Sequence, residues 1–124
     1  MKIAVDEEGA VARRFVTIAM PALNEERYIA EAISSIAPRS EGLDWELLVL
    51  DGGSSDRTAS VVAGIAANEP RVRLLANDRR IQASAVNLAA RVADPRAEIL
   101  VRADCHAAYP KDFVERCVAR LTDQ

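Results

Sequence analysis

Lysine, cysteine, histidine and aromatic residues are all scarce in this 124-residue chain, and each scarcity narrows what the chain does. Lys2 and Lys111 are the only lysines among 16 basic residues, and acidic groups outnumber basic ones to leave a net charge of −3. That balance argues against a general electrostatic grip on nucleic acid or on an anionic membrane, while leaving room for a local basic pocket. Cys105 and Cys117, the only cysteines, form neither a CxxC pair nor a disulfide framework, so a reducing cytoplasm is the expected compartment. His106 is the only histidine, with no nucleophile–base–orienter triad around it, which leaves triad hydrolase chemistry unsupported. No apolar run approaches the roughly 18–20 residues that a membrane span requires. Residues 1–14 turn from acidic to basic without a signal-peptide core and read as a loose leader. There is no internal repeat.

What the chain does have is half apolar residues in a patterned order, enough for one small domain with a core. Four short apolar runs read as buried parallel strands: Phe15 to Met20, Glu46 to Leu50, Val72 to Ala76, and Glu98 to Arg102. Helical patterns separate them. After Asn24, read as an N-cap with Glu25 and Glu26 in the first turn, Ile29, Ala32, Ile33 and Ile36 recur at helical spacing. A second helix is expected from Asp56 to Ala67, with Val61, Val62, Ile65 and Ala66 inward, and a third from Ser84 to Ala93. The last begins near Pro110 and carries Val114, Cys117, Val118 and Leu121 on one face. Alternation of strand and helix, with right-handed crossovers, predicts an α/β fold of three layers around a parallel sheet.

Every strand-to-helix turn then lies at one edge of the sheet, the carboxyl edge, where open α/β sheets bind ligands. The first turn presents Pro21-Ala22-Leu23-Asn24-Glu25, the second Asp51-Gly52-Gly53, the third Arg79 and Arg80, and the fourth Asp104-Cys105-His106. In an extended segment Asp104 and His106 project to one side and can share a divalent cation, while Cys105 points the other way into the core. Imidazole tilts the preference from magnesium towards manganese, and two protein ligands leave room for substrate phosphates. An ordinary surface pair is the competing reading of Asp104 and His106. Asp51 reads equally as a cap of the turn after it or as an acceptor for a nucleobase N–H. Glu25 is either first-turn dressing or an acceptor for ribose hydroxyls. Ser54, Ser55 and Asp56 read as capping groups.

Four segments, VTIAMPALNEE from Val16, LVLDGGSSDRT from Leu48, NDRRIQASAVNLA from Asn77 and ILVRADCHAAYP from Ile99, resemble in order and spacing the family 2 glycosyltransferases of GT-A fold. The wording is most similar to the bacterial exopolysaccharide branch that includes succinoglycan glucosyltransferases. The resemblance implies a Rossmann-like nucleotide-binding half of a GT-A domain over residues 15–124. It implies transfer of a sugar, with inversion, from a nucleotide diphosphate sugar, usually a UDP-sugar, to a glycan or lipid-linked acceptor in polysaccharide biosynthesis. Carried over by position, Pro21, Ala22, Asn24 and Glu25 would line the nucleoside, Asp51 would accept from uracil, and Arg80 would lie near the diphosphate. Asp104 and His106 would occupy the ends of the DxD motif, with Mn²⁺ or Mg²⁺ between them and the donor. His106 departs from the usual aspartate, and Ala83-Ser84 replace a glycine common ahead of the third helix.

The general base and the acceptor half are expected beyond Gln124. Asp112, Glu115 and Asp123 read as solvated surface groups, and none is assigned as base. The full-length protein is expected in the cytoplasm or on the cytoplasmic face of the inner membrane. The alternative from another class is a non-catalytic nucleotide-sugar-binding or assembly module that needs a partner. Apolar surface left open by a missing half would favour self-association. A dehydrogenase is disfavoured because GxGxxG is absent, and a nucleotidyltransferase because Pro21-Ala22-Leu23-Asn24-Glu25 stands where its glycine-rich loop would be.

Overall fold

The protein is described from a computed structural model, which defines residues 14–77, 82–106 and 108–122. Strands and helices alternate: β1 (Arg14–Ala22), α1 (Ile29–Ile36), β2 (Leu43–Asp51), α2 (Thr58–Asn68), β3 (Val72–Ala76), α3 (Gln82–Val92), β4 (Ile99–Arg102) and α4 (Phe113–Thr122). All strand pairs are parallel, and the order across the sheet is β3-β2-β1-β4. The sheet therefore grows in one direction from β1 through β3, then reverses to place β4 on the far side of β1. That reversal is a topological switch point, and it opens a crevice between the carboxyl ends of β1 and β4.

Handedness explains where the helices sit. Right-handed crossovers put α1 and α2 on one face; once the direction of growth reverses, the same hand sends α3 over the other. On the first face Val16, Ile18 and Met20 of β1 and Leu47 and Val49 of β2 pack with Ile29, Ala32, Ile33 and Ile36, Val62, and Val114 and Val118. On the second, Ala19, Leu48 and Leu50 meet Ala85 and Ala89 of α3. The alternating residues of β1 and β2 are apolar on both sides because both faces are covered, as continuous apolar runs require. Each fully buried Leu or Ile here is worth about 1.5–3 kcal/mol over an exposed one.

The α3 face also holds a buried carboxylate. Glu46, 7% exposed, accepts the Thr17 hydroxyl at 2.8 Å and the Asp94 backbone N–H at 2.7 Å. Asp94 lies just beyond the end of α3, so Glu46 ties the sheet to the turn that leads into β4.

Several sequence expectations shift. Arg14, placed in the leader, is the first residue of β1 and pairs with Glu98 at 2.7 Å. Asn24 does not cap α1: it adopts φ 53°, residues 26–28 form a turn, and α1 starts at Ile29. The apolar periodicity began at Ile29 as well, so the buried face was placed correctly and only the helix start was misread. Pro110 is likewise outside α4; its carbonyl accepts the Phe113 N–H at 3.1 Å, and Asp112 at φ 62° delays the helix. Of the α4 stripe, Val114 and Val118 are buried, whereas Leu121 is 45% exposed. Glu115 is not merely solvated, since its Oε2 accepts the N–H groups of Arg39 and Ser40 at 3.1 and 3.2 Å.

Candidate functional site

Two loops at the switch point bring the chemistry together. The loop after β1 is held open by its neighbour rather than by its own helix. Asn24 Oδ1 accepts the Ser55 N–H at 2.8 Å and the Ser55 hydroxyl at 3.3 Å. The Asn24 N–H donates to Ser54 Oγ at 2.9 Å, and the Glu25 N–H to Thr58 Oγ1 at 2.8 Å. Thr58 in turn donates its hydroxyl to Asp56 Oδ1, which also accepts the Thr58 N–H at 2.9 Å. Asn24, Ser54, Ser55, Asp56 and Thr58 thus cross-link the β1–α1 and β2–α2 loops. Asn24 is suited to this because an amide side chain is tolerated at positive φ better than most.

The second loop follows β4. Tyr109 fixes it: its hydroxyl donates to the Asp104 carbonyl at 3.0 Å and accepts the Asp104 N–H, while its own N–H donates to Ser35 Oγ of α1 at 2.9 Å. The Tyr109 ring packs on Phe113 with centroids 4.8 Å apart. Residues 105–106 form a turn, so strand alternation ends before the motif does.

The consequence is a three-residue contact. His106 Nε2 lies 3.1 Å from Asp104 Oδ1 and Nδ1 lies 2.9 Å from Glu25 Oε1. Both ring nitrogens face carboxylates, and the Glu25 hydrogen bond first, then the charges of Asp104 and Glu25, raise the imidazole pKa above its ordinary 6.5. Asp104 and His106 do converge as expected, by a turn rather than by an extended segment. The expectation for Cys105 needs correcting. Its side chain is buried in the core, but the turn brings its sulfur within 4.8 Å of the ligand atoms of Glu25 and His106. Burial, then the charges of Glu25 and Asp104, push this thiol up to about 12.

A cavity of about 210 Å³ lies at this edge, lined by Pro21, Ala22, Leu23, Glu25, Leu50, Gly52, Asn77, Asp104, Cys105 and His106. Pro21 and Asp104 also border an adjoining hollow of about 320 Å³ with Arg102, Tyr109 and Phe113. Asp51 sits beside the first cavity at the end of β2, and its carboxylate accepts the Ser54 N–H at 3.2 Å and the Ser54 hydroxyl. It caps its turn; the second carboxylate oxygen has only a 3.4 Å contact with the same N–H. Arg79 and Arg80 fall outside the described residues.

A larger hollow of about 730 Å³ lies at the opposite edge, among Phe15, Arg39, Trp45, Arg71 and Arg96. Two of its guanidinium groups are already engaged, Arg71 with Glu69 and the Trp45 ring, Arg96 with Asp94 and the Phe15 ring. Parallel sheets present ligands at the other end, where the switch point lies.

Residues 17–124 match the profile of glycosyl transferase family 2. The chain belongs to this family. The succinoglycan biosynthesis protein ExoA of Rhizobium meliloti is 38% identical over 101 residues, which cover 82% of this chain and 31% of that protein. Among solved structures, a mannosyltransferase from Pyrobaculum calidifontis in complex with GDP-Man and Mn²⁺ superposes with a TM-score of 0.71 at 34% identity, covering 86% of this chain and 32% of that one. Glucosyl-3-phosphoglycerate synthase from Mycobacterium tuberculosis, in complex with Mn²⁺, UDP and glucosyl-3-phosphoglycerate, gives 0.61 at 32% identity, covering 88% and 39%. The two solved structures are glycosyltransferases of GT-A fold, and the chain spans about a third of the length of all three relatives.

Sequence reasoning missed the Glu25–His106 contact, the inter-loop role of Asn24 and the buried Glu46. The first two depend on which strands are neighbours, which the strand order β3-β2-β1-β4 decides. The signal for Glu46 was available: a carboxylate directly ahead of the apolar run Leu47-Leu48-Val49-Leu50 has to find partners if both sheet faces are covered.

Proposed function

We propose that this chain carries the donor-binding part of an inverting glycosyltransferase that moves a sugar from a UDP-sugar to a glycan or lipid-linked acceptor in polysaccharide biosynthesis. One observation carries the reading: the switch point gathers Pro21, Ala22, Glu25, Asp104 and His106 around a single cavity. Pro21, Ala22, Asn24 and Glu25 are the nucleoside side of that site, with Glu25 as acceptor for ribose hydroxyls. Asp51 accepts from the base through the oxygen that Ser54 engages least, and Arg80 lies by the diphosphate. Gly52 lets the base approach the backbone closely.

Asp104 and His106 are a suitable pair for a divalent cation. One supplies a hard carboxylate and the other a borderline imidazole, both are 56% exposed, and the remaining coordination positions are open to phosphate oxygens. A cation bound there, Mn²⁺ or Mg²⁺, would stabilise the charge developing on the departing diphosphate. The chain's own residues orient the donor: the Asn24 network fixes the nucleoside loop, and Tyr109 fixes the backbone at Asp104. Glu25 holds the His106 ring by Nδ1 and leaves Nε2 directed at Asp104. No residue of this chain is assigned as the base that takes the acceptor proton. The whole protein would work in the cytoplasm or at the cytoplasmic face of the inner membrane, where nucleotide sugars are available.

Calorimetric titration with UDP in the presence of Mn²⁺ tests the reading, with GDP in parallel to decide the base. Binding that needs Mn²⁺, weakened at least about tenfold in Asp104→Ala and in Asp51→Ala, is expected. Absence of binding to the wild-type chain, or unchanged affinity in both variants, would overturn the assignment. Radiolabelled transfer separates donor binding from turnover.

A further inference from the structure

We propose that Glu25, Cys105 and His106 form a site for a thiophilic dication of the zinc class, and that an ion held there shuts out the donor metal. The ligand atoms of these three residues all lie within 4.8 Å of one another. They come from two loops that are independently anchored, one through Asn24 and Thr58, the other through Tyr109. A tetrahedral zinc centre holds its ligand atoms roughly 3.3–3.8 Å apart, so the set closes by a small rotation of the exposed His106 ring and the Glu25 carboxylate. A carboxylate, a thiolate and an imidazole leave the fourth position open to water.

The donor set separates this site from the one at Asp104. Sulfur discriminates strongly in favour of zinc-class ions over Mg²⁺ and Mn²⁺, which prefer oxygen. Cys105 lines the cavity from its buried wall, where the sulfur meets an entering ion but not bulk solvent. On binding, the S–H bond is replaced by a sulfur–metal bond and the proton leaves to solvent. No change of oxidation state is involved. A neutral imidazole has one lone pair to offer, so His106 serves either this ion or the donor metal, not both. The exclusion therefore rests on the donor-site reading above, whereas the metal site itself does not.

Cobalt(II) is the probe for the site. Added to the reduced 124-residue chain it is expected to give a sulfur-to-cobalt charge-transfer band, retained in Cys117→Ser and lost in Cys105→Ser. Glu25→Gln and His106→Ala should each weaken cobalt binding at least about tenfold. Zinc-edge X-ray absorption of the wild-type chain, which needs no variant to fold, should find one sulfur in the first shell. No band, a band that survives Cys105→Ser, or a shell of nitrogen and oxygen alone would overturn the site. For the exclusion, Zn²⁺ at a concentration that saturates the site should lower Mn²⁺-dependent UDP affinity at least about tenfold in wild type and not in Cys105→Ser. Full UDP affinity in the zinc-loaded protein would overturn it. A wild-type chain that binds no UDP with Mn²⁺ would overturn the donor reading and the exclusion together, while the cobalt band still decides the metal site.

Discussion

His106 Nδ1 lies 2.9 Å from Glu25 Oε1, joining the loop after β4 to the loop after β1 across 81 positions of sequence. The contact spans the crevice that the strand order creates. With Asp104 on the other ring nitrogen, the imidazole bridges two carboxylates, one from each loop.

The pH dependence of this bridge follows in sign. The folded-state pKa of His106 is raised, so the contact stabilises the fold fully below the ordinary value of 6.5 and loses its contribution as pH climbs through the raised value. Because His106 is the only histidine, its imidazole resonances can be titrated by NMR without ambiguity. A midpoint above 6.5 is expected in wild type, falling in Glu25→Ala, which removes the largest cause. A wild-type midpoint at or below 6.5 would show that the bridge does not exist in solution.

Asn24 offers a separable test of the loop cross-link. Asn24→Gly keeps the positive φ but removes the acceptor for Ser55, and should cost about 1 kcal/mol, the usual net worth of a hydrogen bond. Asn24→Ala loses the acceptor and also places a β-carbon at φ 53°, so about 2 kcal/mol is expected. Urea denaturation orders the variants. Equal stability of Ala and Gly variants would mean that the left-handed conformation at Asn24 is not what the solution structure adopts.

Much of this architecture was legible in the residues, and what was not has a physical reason. The apolar runs gave all four strands, most plainly β1 and β2, because both faces of those central strands are covered and a doubly covered strand needs no polar alternation. Strand ends at Leu50-Asp51 and Arg102-Ala103-Asp104 were visible as abrupt changes from apolar to acidic residues. Helix starts were less visible. Asn24 and Pro110 both carry local start signals, yet tertiary bonds to Ser54 and Ser55 hold one loop open, and positive φ at Asp112 delays the other helix. The contacts that define the site, Glu25 with His106 above all, depend on β4 lying beside β1, which no local pattern encodes.

Glu46 should be among the residues least tolerant of change outside the site. Its carboxylate, buried on the α3 face, satisfies the Thr17 hydroxyl and the Asp94 N–H, and its other oxygen lies 3.7 Å from Arg73. Glu46→Ala leaves the fully buried Thr17 hydroxyl and the part-buried Asp94 N–H without their acceptor, so a loss of about 2–4 kcal/mol is expected. Glu46→Gln keeps one acceptor oxygen and should recover part of it. Thermal unfolding followed by circular dichroism measures both. A loss under about 0.5 kcal/mol in the alanine variant, the range of ordinary surface changes, would contradict the buried position.

The two thiols should part company under alkylation. Cys105 is 3% exposed and its pKa is pushed up to about 12, so almost none of it is thiolate at neutral pH. Cys117 is only half-buried on α4. Iodoacetamide at pH 8 should therefore modify Cys117 first, with Cys105 reacting only after denaturation, as read by peptide mass spectrometry. Fast labelling of Cys105 in the folded chain would mean that the turn at 105–106 opens readily and that Glu25 and Asp104 do not hold it closed.

Finally, β4 is an edge strand of four residues whose outward partner position is unfilled among the described residues, and Leu100 on it is 39% exposed. Leu100 pairs in register with Thr17 on the α3 face, beyond the patch that Ala85 and Ala89 cover. Unpaired edge N–H and C=O groups beside an exposed leucine favour strand addition, and here a second copy of the chain can supply the strand. Light scattering should show mass rising with concentration, and Leu100→Lys should return the chain towards a monomer, because a charge on an edge strand opposes pairing. A constant monomer mass for the wild-type chain across a hundredfold concentration range of about 1–100 μM would refute edge pairing at this strand.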